Sequence, residues 1–314
     1  MAKGSLARLI FGRLISGVVT LFIVSVLVFA GTEILPGDVA QAVLGQQATP
    51  DAVQAIRDQL GLDRPAALRY LDWLWSFMQG DLGRSLLSGR EVSDLIGRQL
   101  GNSLFLATVA AVIAIPLSVG LGLLAALYED RPADKGITAS TLVFVSMPDF
   151  LLGYLLLMLF AVKLGWFPAL SRISSSMSLL EQLRAVALPC LTLALVVSAH
   201  TMRLTRAAIL SVMNQAYIEM AELKGASRAR IVLRHALPNA LSPILNIVML
   251  TLAYLIVGVV VVEAVFNYSG LGRTMIDAVS KRDMPLVQAC GLIFASVYVL
   301  LNLTADILSV LTNP

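Results

Sequence analysis

EMAELKGASRARIVLRHALPN, residues 219–239, is a polar island in an oily chain: Glu219, Glu222, Lys224, Arg228, Arg230 and Arg234 lie between two apolar runs. Glu219 to Lys224 is long enough for a helical turn or two, with acids near its start and a lysine at its end, which complements a helix dipole. Gly225 suits the left-handed position just past a helix end. Ser227 suits an N-cap, and Arg230 and Arg234 then share a face, four residues apart. Leu237-Pro238 is expected to end the polar run before Pro243 opens the next apolar one. On charge alone the island is an ordinary basic loop. The order helix, glycine, basic helix, Leu-Pro points further, to a surface that docks a partner.

The surroundings of the island set the fold class. The chain is 58% hydrophobic and 14% charged, against about 25% charged for an average soluble domain, and its mean hydropathy is +0.83. Uncharged runs of 18 or more residues read as membrane spans. An all-α, polytopic membrane protein with six transmembrane helices is predicted. The spans are placed at about Leu14–Thr32, within Gly101–Tyr128, Ile137–Val162, Ala185–Met202, Pro243–Val262 and Leu286–Leu308. The apolar run after Lys3, Arg8 and Arg13 exceeds a signal-peptide core and lacks an A-x-A-like site, so an uncleaved first span is expected.

Three regions follow: residues 1–35, a tail and the first helix; residues 36–100, too charged to cross a bilayer; and residues 101–314, a five-helix core that carries the polar segment 203–240. The breaker LPGD (Leu35 to Asp38) closes the first span. In the 36–100 region, Thr49-Pro50 and Gly61 bracket a short helix. Pro65 to Gln79 places Leu68, Leu71, Trp75 and Met78 at helical spacing. Trp73, Trp75 and Phe77 suit either a bilayer interface or the packing of this region. Residues 163–184 read as loop. Short-loop Lys/Arg bias puts the N-terminus, Arg131, Lys135 and the island in the cytoplasm, with the C-terminus, and leaves 36–100 outside.

Much chemistry is missing. No glycine is followed by lysine, so there is no Walker-type phosphate loop. The two histidines, His200 and His235, belong to no H-E-x-x-H motif, and no G-x-S-x-G elbow occurs. No run of five like charges suggests nucleic acid. A transport subunit fits better than an enzyme. Cys190 and Cys290 lie in apolar segments and read as core residues rather than a disulfide. Charges at mid-membrane cost about 2.5–3.5 kcal/mol on insertion scales. Pro148 and Asp149 in the third span and Asn246 in the fifth are therefore the candidates for a solute pathway. For Asp149 the alternative is a place near an interface, and for Asn246, as for Asn302 and Asp306, it is hydrogen bonding between helices.

The framework Glu219-x-Ala221, Gly225 and His235-x-Leu237-Pro238 resembles the cytoplasmic signature of binding-protein-dependent ABC importer permeases. Met220 stands where alanine is usual, and His235 where an aliphatic residue is. LPGD, LGLDRP (Leu60 to Pro65), GDLGRSLLSGREV (Gly80 to Val92), VVVEAVFNYSGLGR (Val260 to Arg273) and RDMPLVQ (Arg282 to Gln288) follow the same order as in the first permease subunit of dipeptide, oligopeptide and nickel importers. Ser269 and Arg90-Glu91 depart from prolines common there.

The resemblance implies a type I importer fold in a bacterial or archaeal inner membrane, with the 36–100 segment folded outside. It implies a second homologous permease, two cytoplasmic ATPases that bind ATP and Mg, and an extracytoplasmic solute-binding protein that meets segments 36–100 and 264–285. The chain itself needs no cofactor or metal, and membrane lipid is its surroundings. Residues 216–238 would couple to the ATPases through Glu219, Ala221, Gly225, Arg228, Arg234, Leu237 and Pro238. Short peptides are the favoured cargo; nickel chelates, oligosaccharides and glutathione-like compounds are handled by relatives with the same motifs. An ion-gradient-driven secondary transporter is the alternative, but it would need an internal repeat and a membrane carboxylate network.

Overall fold

A computed structural model describes residues 3–34, 39–44, 48–174 and 176–312; the predicted breaker at Leu35 to Asp38 lies outside them. Fourteen helices follow one another among these residues: α1 Lys3–Ile34, α2 Val39–Leu44, α3 Pro50–Leu60, α4 Ala66–Met78, α5 Val92–Leu127, α6 Pro132–Ser146, α7 Asp149–Leu156, α8 Leu179–Ala185, α9 Ala187–Met213, α10 Ala216–Leu223, α11 Arg228–Ile231, α12 Leu237–Val265, α13 Leu271–Lys281 and α14 Met284–Thr312. Extended pairing among the described residues is limited to one bridge, Arg84 with Glu91. Among the described residues, five helical stretches are long and apolar enough to cross a membrane: Ile10–Ile34, Val92–Leu127, Ala187–Met213, Arg228–Val265 and Met284–Leu308. Counting the bent pair α6–α7 as one span makes six.

The third span departs from its prediction. It is not one rod from Ile137 to Val162 but two helices bent by 104° at Met147-Pro148. Both residues are extended, with ψ of 132° and 140°. The proline ring pushes the residue before it out of helical backbone and removes a helix donor, which breaks the ladder here. A π-helical segment, Leu157–Lys163, continues α7. Two further boundaries move. The fourth span runs on to Met213, so Arg203 and Arg206 lie within α9 rather than in the island. The region assigned to loop holds α8, opened by a capping box in which Ser178 Oγ accepts from Glu181 N and Glu181 Oε2 accepts from Ser178 N.

The chain groups into two compact units. One comprises Met1–Leu14, Leu104–Tyr268 and Leu300–Pro314. At its centre, α9 packs along α12 over a core that includes Leu106, Leu188, Leu193, Val259 and Phe266. A second core, under the polar island, holds Ala126, Ile209, Val232, Ala236 and Ile244. Helices α5 and α9 touch at Gly122, where a Cβ would come within 2.8 Å of Met202 O and of Thr205 Cβ; only glycine allows that approach. Asp306 on α14 pairs with Arg13 on α1 at 3.1 Å, an interhelical role as expected for it.

The other unit comprises Ile15–Ser103 and Ser269–Val299. Thr49 caps α3, Pro50 is its first residue and Gly61 ends it in left-handed backbone, as predicted. In α4 the predicted apolar stripe Leu68, Leu71, Trp75 and Met78 faces outward. The opposite face packs: Tyr70 and Trp73 lie 5.4 and 5.8 Å, centroid to centroid, from the Phe29 ring of α1, and Ser25 Oγ and Tyr70 Oη share a 2.8 Å hydrogen bond. The helix is apolar on two sides, so periodicity alone could not choose the inward one. Two distant motifs meet at buried Asp283 in RDMP, whose carboxylate accepts from Ser85 Oγ at 2.5 Å and from Leu86 N at 3.1 Å in GRSLLSG. Ser103 Oγ likewise accepts from Leu271 N at 2.8 Å, fastening the NYSGLGR turn.

Candidate functional site

The polar island folds largely as its sequence predicts at its start. Helix α10 stops at Leu223, and Gly225 follows with φ of +77°, the left-handed conformation glycine adopts without strain. Ile218 is buried and anchors α10 from below. Tyr217, Met220 and Leu223, three residues apart, present an outward apolar face, 45%, 55% and 77% exposed. Glu219 and Glu222 are exposed beside them. Sequence reading singled out the charged and glycine positions; Tyr217 and Leu223 were missed, although their spacing with Met220 was in view.

The second half differs. Ser227 sits at the N-cap of α11 but makes no side-chain cap. Leu237-Pro238 does not end the helix: α11, the π turn Val232–Ala236 and α12 form one apolar stretch, Arg228–Val265. The wider π turn accommodates Pro238. Leu237 N donates to Val232 O, five residues back, so the helix is already loosened where Pro238 supplies no donor. Asn239 Nδ2 donates to His235 O at 2.7 Å, meeting a carbonyl in the disturbed turn. Pro243 lies inside α12 rather than opening it.

The island is tied back to the turn between α5 and α6. Arg228 donates from its guanidinium to Glu129 Oε2 at 2.6 Å and to Ala126 O at 3.2 Å. Five residues further on, in the first turn of α6, Asp134 is 3% exposed and receives Arg206 of α9 through both oxygens, Nε to Oδ1 at 2.8 Å and Nη2 to Oδ2 at 2.6 Å. Asp130 N also donates to it, at 3.0 Å. Two arginines, one from α9 and one just past α10, thus converge on residues 126–134. Arg234 stays exposed, as do Arg230 and Pro238.

A second feature of this unit is a cavity of about 330 Å³ between the start of α7 and the faces of α9 and α12. Asp149, His200, Thr201 and Tyr254 line it, with Leu193 and Val257 among its apolar walls. The ring of His200 meets Tyr254 edge-on at 5.9 Å. Thr251 Oγ donates to Ile247 O at 2.8 Å, so in the 2.7 Å bond between the two threonines Thr201 is the donor and Thr251 the acceptor. Among the described residues no group hydrogen-bonds or ion-pairs with the Asp149 carboxylate. Of the predicted pathway residues, Asp149 lines the cavity, while Pro148 caps α7 beside it and Asn246 lies about two to three turns of α12 away from Tyr254–Val257. His200, which belongs to no metal motif in the sequence, is part of the lining.

Residues 118–314 match the family described as binding-protein-dependent transport system inner membrane component, and residues 6–112 match the N-terminal family of such membrane components. The glutathione transport system permease protein GsiC of Escherichia coli K12 is 37% identical over 302 residues, which are 96% of each chain. A Brucella abortus protein provisionally named a peptide transport system permease is 37% identical over 309 residues, 98% of each. Among solved structures, an inward-facing form of the MetNI methionine ABC transporter aligns with a TM-score of 0.54 at 20% identity, covering 70% of this chain and 97% of that one; it shares the fold.

Proposed function

The chain is a member of the binding-protein-dependent transport system inner membrane component family, and from that premise we propose that it imports short peptides or glutathione-like solutes as one of a pair of permease subunits. The names of its glutathione and peptide relatives support that cargo class. Two ATPase subunits, which carry ATP and Mg, sit on its cytoplasmic side. Segments 36–100 and 264–285 face outward and receive a solute-binding protein, both termini are cytoplasmic, and the outward stripe of α4 meets lipid headgroups.

One observation carries the coupling role: α10 is a short helix held from below by Ile218, with an apolar face of Tyr217, Met220 and Leu223 that stays exposed among the described residues. An amphipathic helix with such a face fits a groove on a partner. Glu219, Ala221 and Gly225 shape that helix and its stop, Leu237 and Pro238 lead into α12, and Arg234 adds an exposed charge. Arg228 acts inward, carrying displacement of α10 to the α5–α6 turn. Asp149 borders the solute pathway, since an aspartate and a histidine facing lipid would each cost several kcal/mol.

Replacing Leu223 with Asp and purifying the complex tests this reading. The variant inserts and retains its partner permease but loses the ATPase and ATP-dependent tripeptide uptake. Retention of both, or uptake that survives ATP depletion and follows a proton gradient, overturns it.

A further inference from the structure

Four groups facing the α7–α9–α12 cavity share a chemical character. Asp149 offers two unpaired carboxylate oxygens. Thr201, having spent its proton on Thr251, offers only lone pairs. Tyr254 offers a ring face and a hydroxyl oxygen, and His200 a ring nitrogen. This set accepts hydrogen bonds and carries negative charge in a surround of leucine and valine. An ammonium group has three donors and no acceptor, and an aromatic face adds attraction for a cation in a desolvated place. A primary ammonium is therefore the ligand whose chemistry matches the lining. The volume, about 330 Å³, is at the lower end of small-molecule pockets, room for one end of a short peptide rather than for a whole long one.

We propose that this cavity holds the protonated amino terminus of the passing peptide, with Asp149 as its counter-charge and Tyr254 as its ring wall. The proposal rests on the pathway reading above and adds a selective contact to it. It gives the permease a preference for solutes with a free amino terminus, exerted after the binding protein has released them.

Both cysteines are buried, so a thiol introduced at Tyr254 reports on the cavity in the intact transporter complex. Tyr254→Cys is treated with a cationic and an anionic methanethiosulfonate reagent, each rate being divided by that for a free thiol in solution. The expected normalised ratio favours the cation by about tenfold, the size of one modest charge interaction at an intermediate dielectric, and Asp149→Asn brings it to near one. A free-amino tripeptide slows modification, whereas its N-acetylated form does not. If neither reagent reacts, the pathway reading itself falls. If both react without a preference that depends on Asp149, or if sodium or potassium chloride protects as well as the tripeptide, the ammonium site falls and the pathway reading stands. Val257→Cys, on the same wall, repeats the measurement where Tyr254→Cys does not assemble.

Discussion

The guanidinium of Arg228 donates to Glu129 Oε2 at 2.6 Å and to the carbonyl of Ala126 at 3.2 Å, joining the segment just past α10 to the C-terminal end of α5. Sequence reading had offered Arg228 to a partner; the folded chain uses it within itself. The pair is half-exposed, so its contribution to stability is small, exposed pairs being worth about 0–1 kcal/mol.

Breaking that connection separates stability from coupling. Glu129→Arg leaves the melting temperature of the purified permease within about 2 °C, in keeping with a loss below 1 kcal/mol. It lowers ATP hydrolysis stimulated by the loaded binding protein severalfold. The charge swap Glu129→Arg with Arg228→Glu restores much of that stimulation, measured as phosphate release in proteoliposomes.

The Asp134–Arg206 pair behaves in the opposite way. Asp134 is buried, and removing its carboxylate leaves Arg206 without its counter-charge. Asp134→Ala should cost about 3–5 kcal/mol, while the double replacement Asp134→Leu with Arg206→Met should cost much less. Chemical denaturation of the detergent-solubilised protein separates the two.

At Gly225 the backbone sets the requirement. With φ of +77°, a β-branched residue there costs about 1–2 kcal/mol, borne locally by the stop of α10. Gly225→Val is expected to insert normally and to weaken ATPase association about tenfold, the equivalent of 1.4 kcal/mol. Titration of the ATPase onto immobilised permease gives the number.

Gly122 and Gly120 make a paired test of the α5–α9 contact. A Cβ at Gly122 meets Met202 O and Thr205 Cβ at 2.8 Å, whereas at Gly120 it meets nothing within 4 Å. Gly122→Leu is expected to destabilise by about 1–3 kcal/mol or more through overpacking, and Gly120→Leu to be nearly neutral. Thermal aggregation onset in detergent distinguishes them.

Much of the fold was legible because its determinants are local. Uncharged runs marked the spans, and Thr49-Pro50 with Gly61 marked α3 at both ends. The capping box Ser178-x-x-Glu181 was equally local and announced α8, though residues 163–184 were read as loop. Pro148 was in view inside a third span read as continuous, and the 104° angle of the bend there depends on how α7 packs on α9 and α12. The continuity of Arg228–Val265 through Pro238 was not legible, because nothing local marks the π turn that precedes the proline.

What the sequence by itself determined was which segments are apolar enough to leave water, where helices stop, and the motif order that marks the family. Those follow from hydration and from backbone sterics within a few residues. Tertiary structure alone decided that Arg228 turns inward to Glu129, 99 residues away, and that Ser85 meets Asp283 across 198. It likewise brought Asp149, His200 and Tyr254 from three helices to one cavity, and turned Tyr70 and Trp73 rather than Trp75 toward α1. A helix with two apolar sides, or a charge with two accessible partners, has no local preference; packing against the rest of the chain makes the choice.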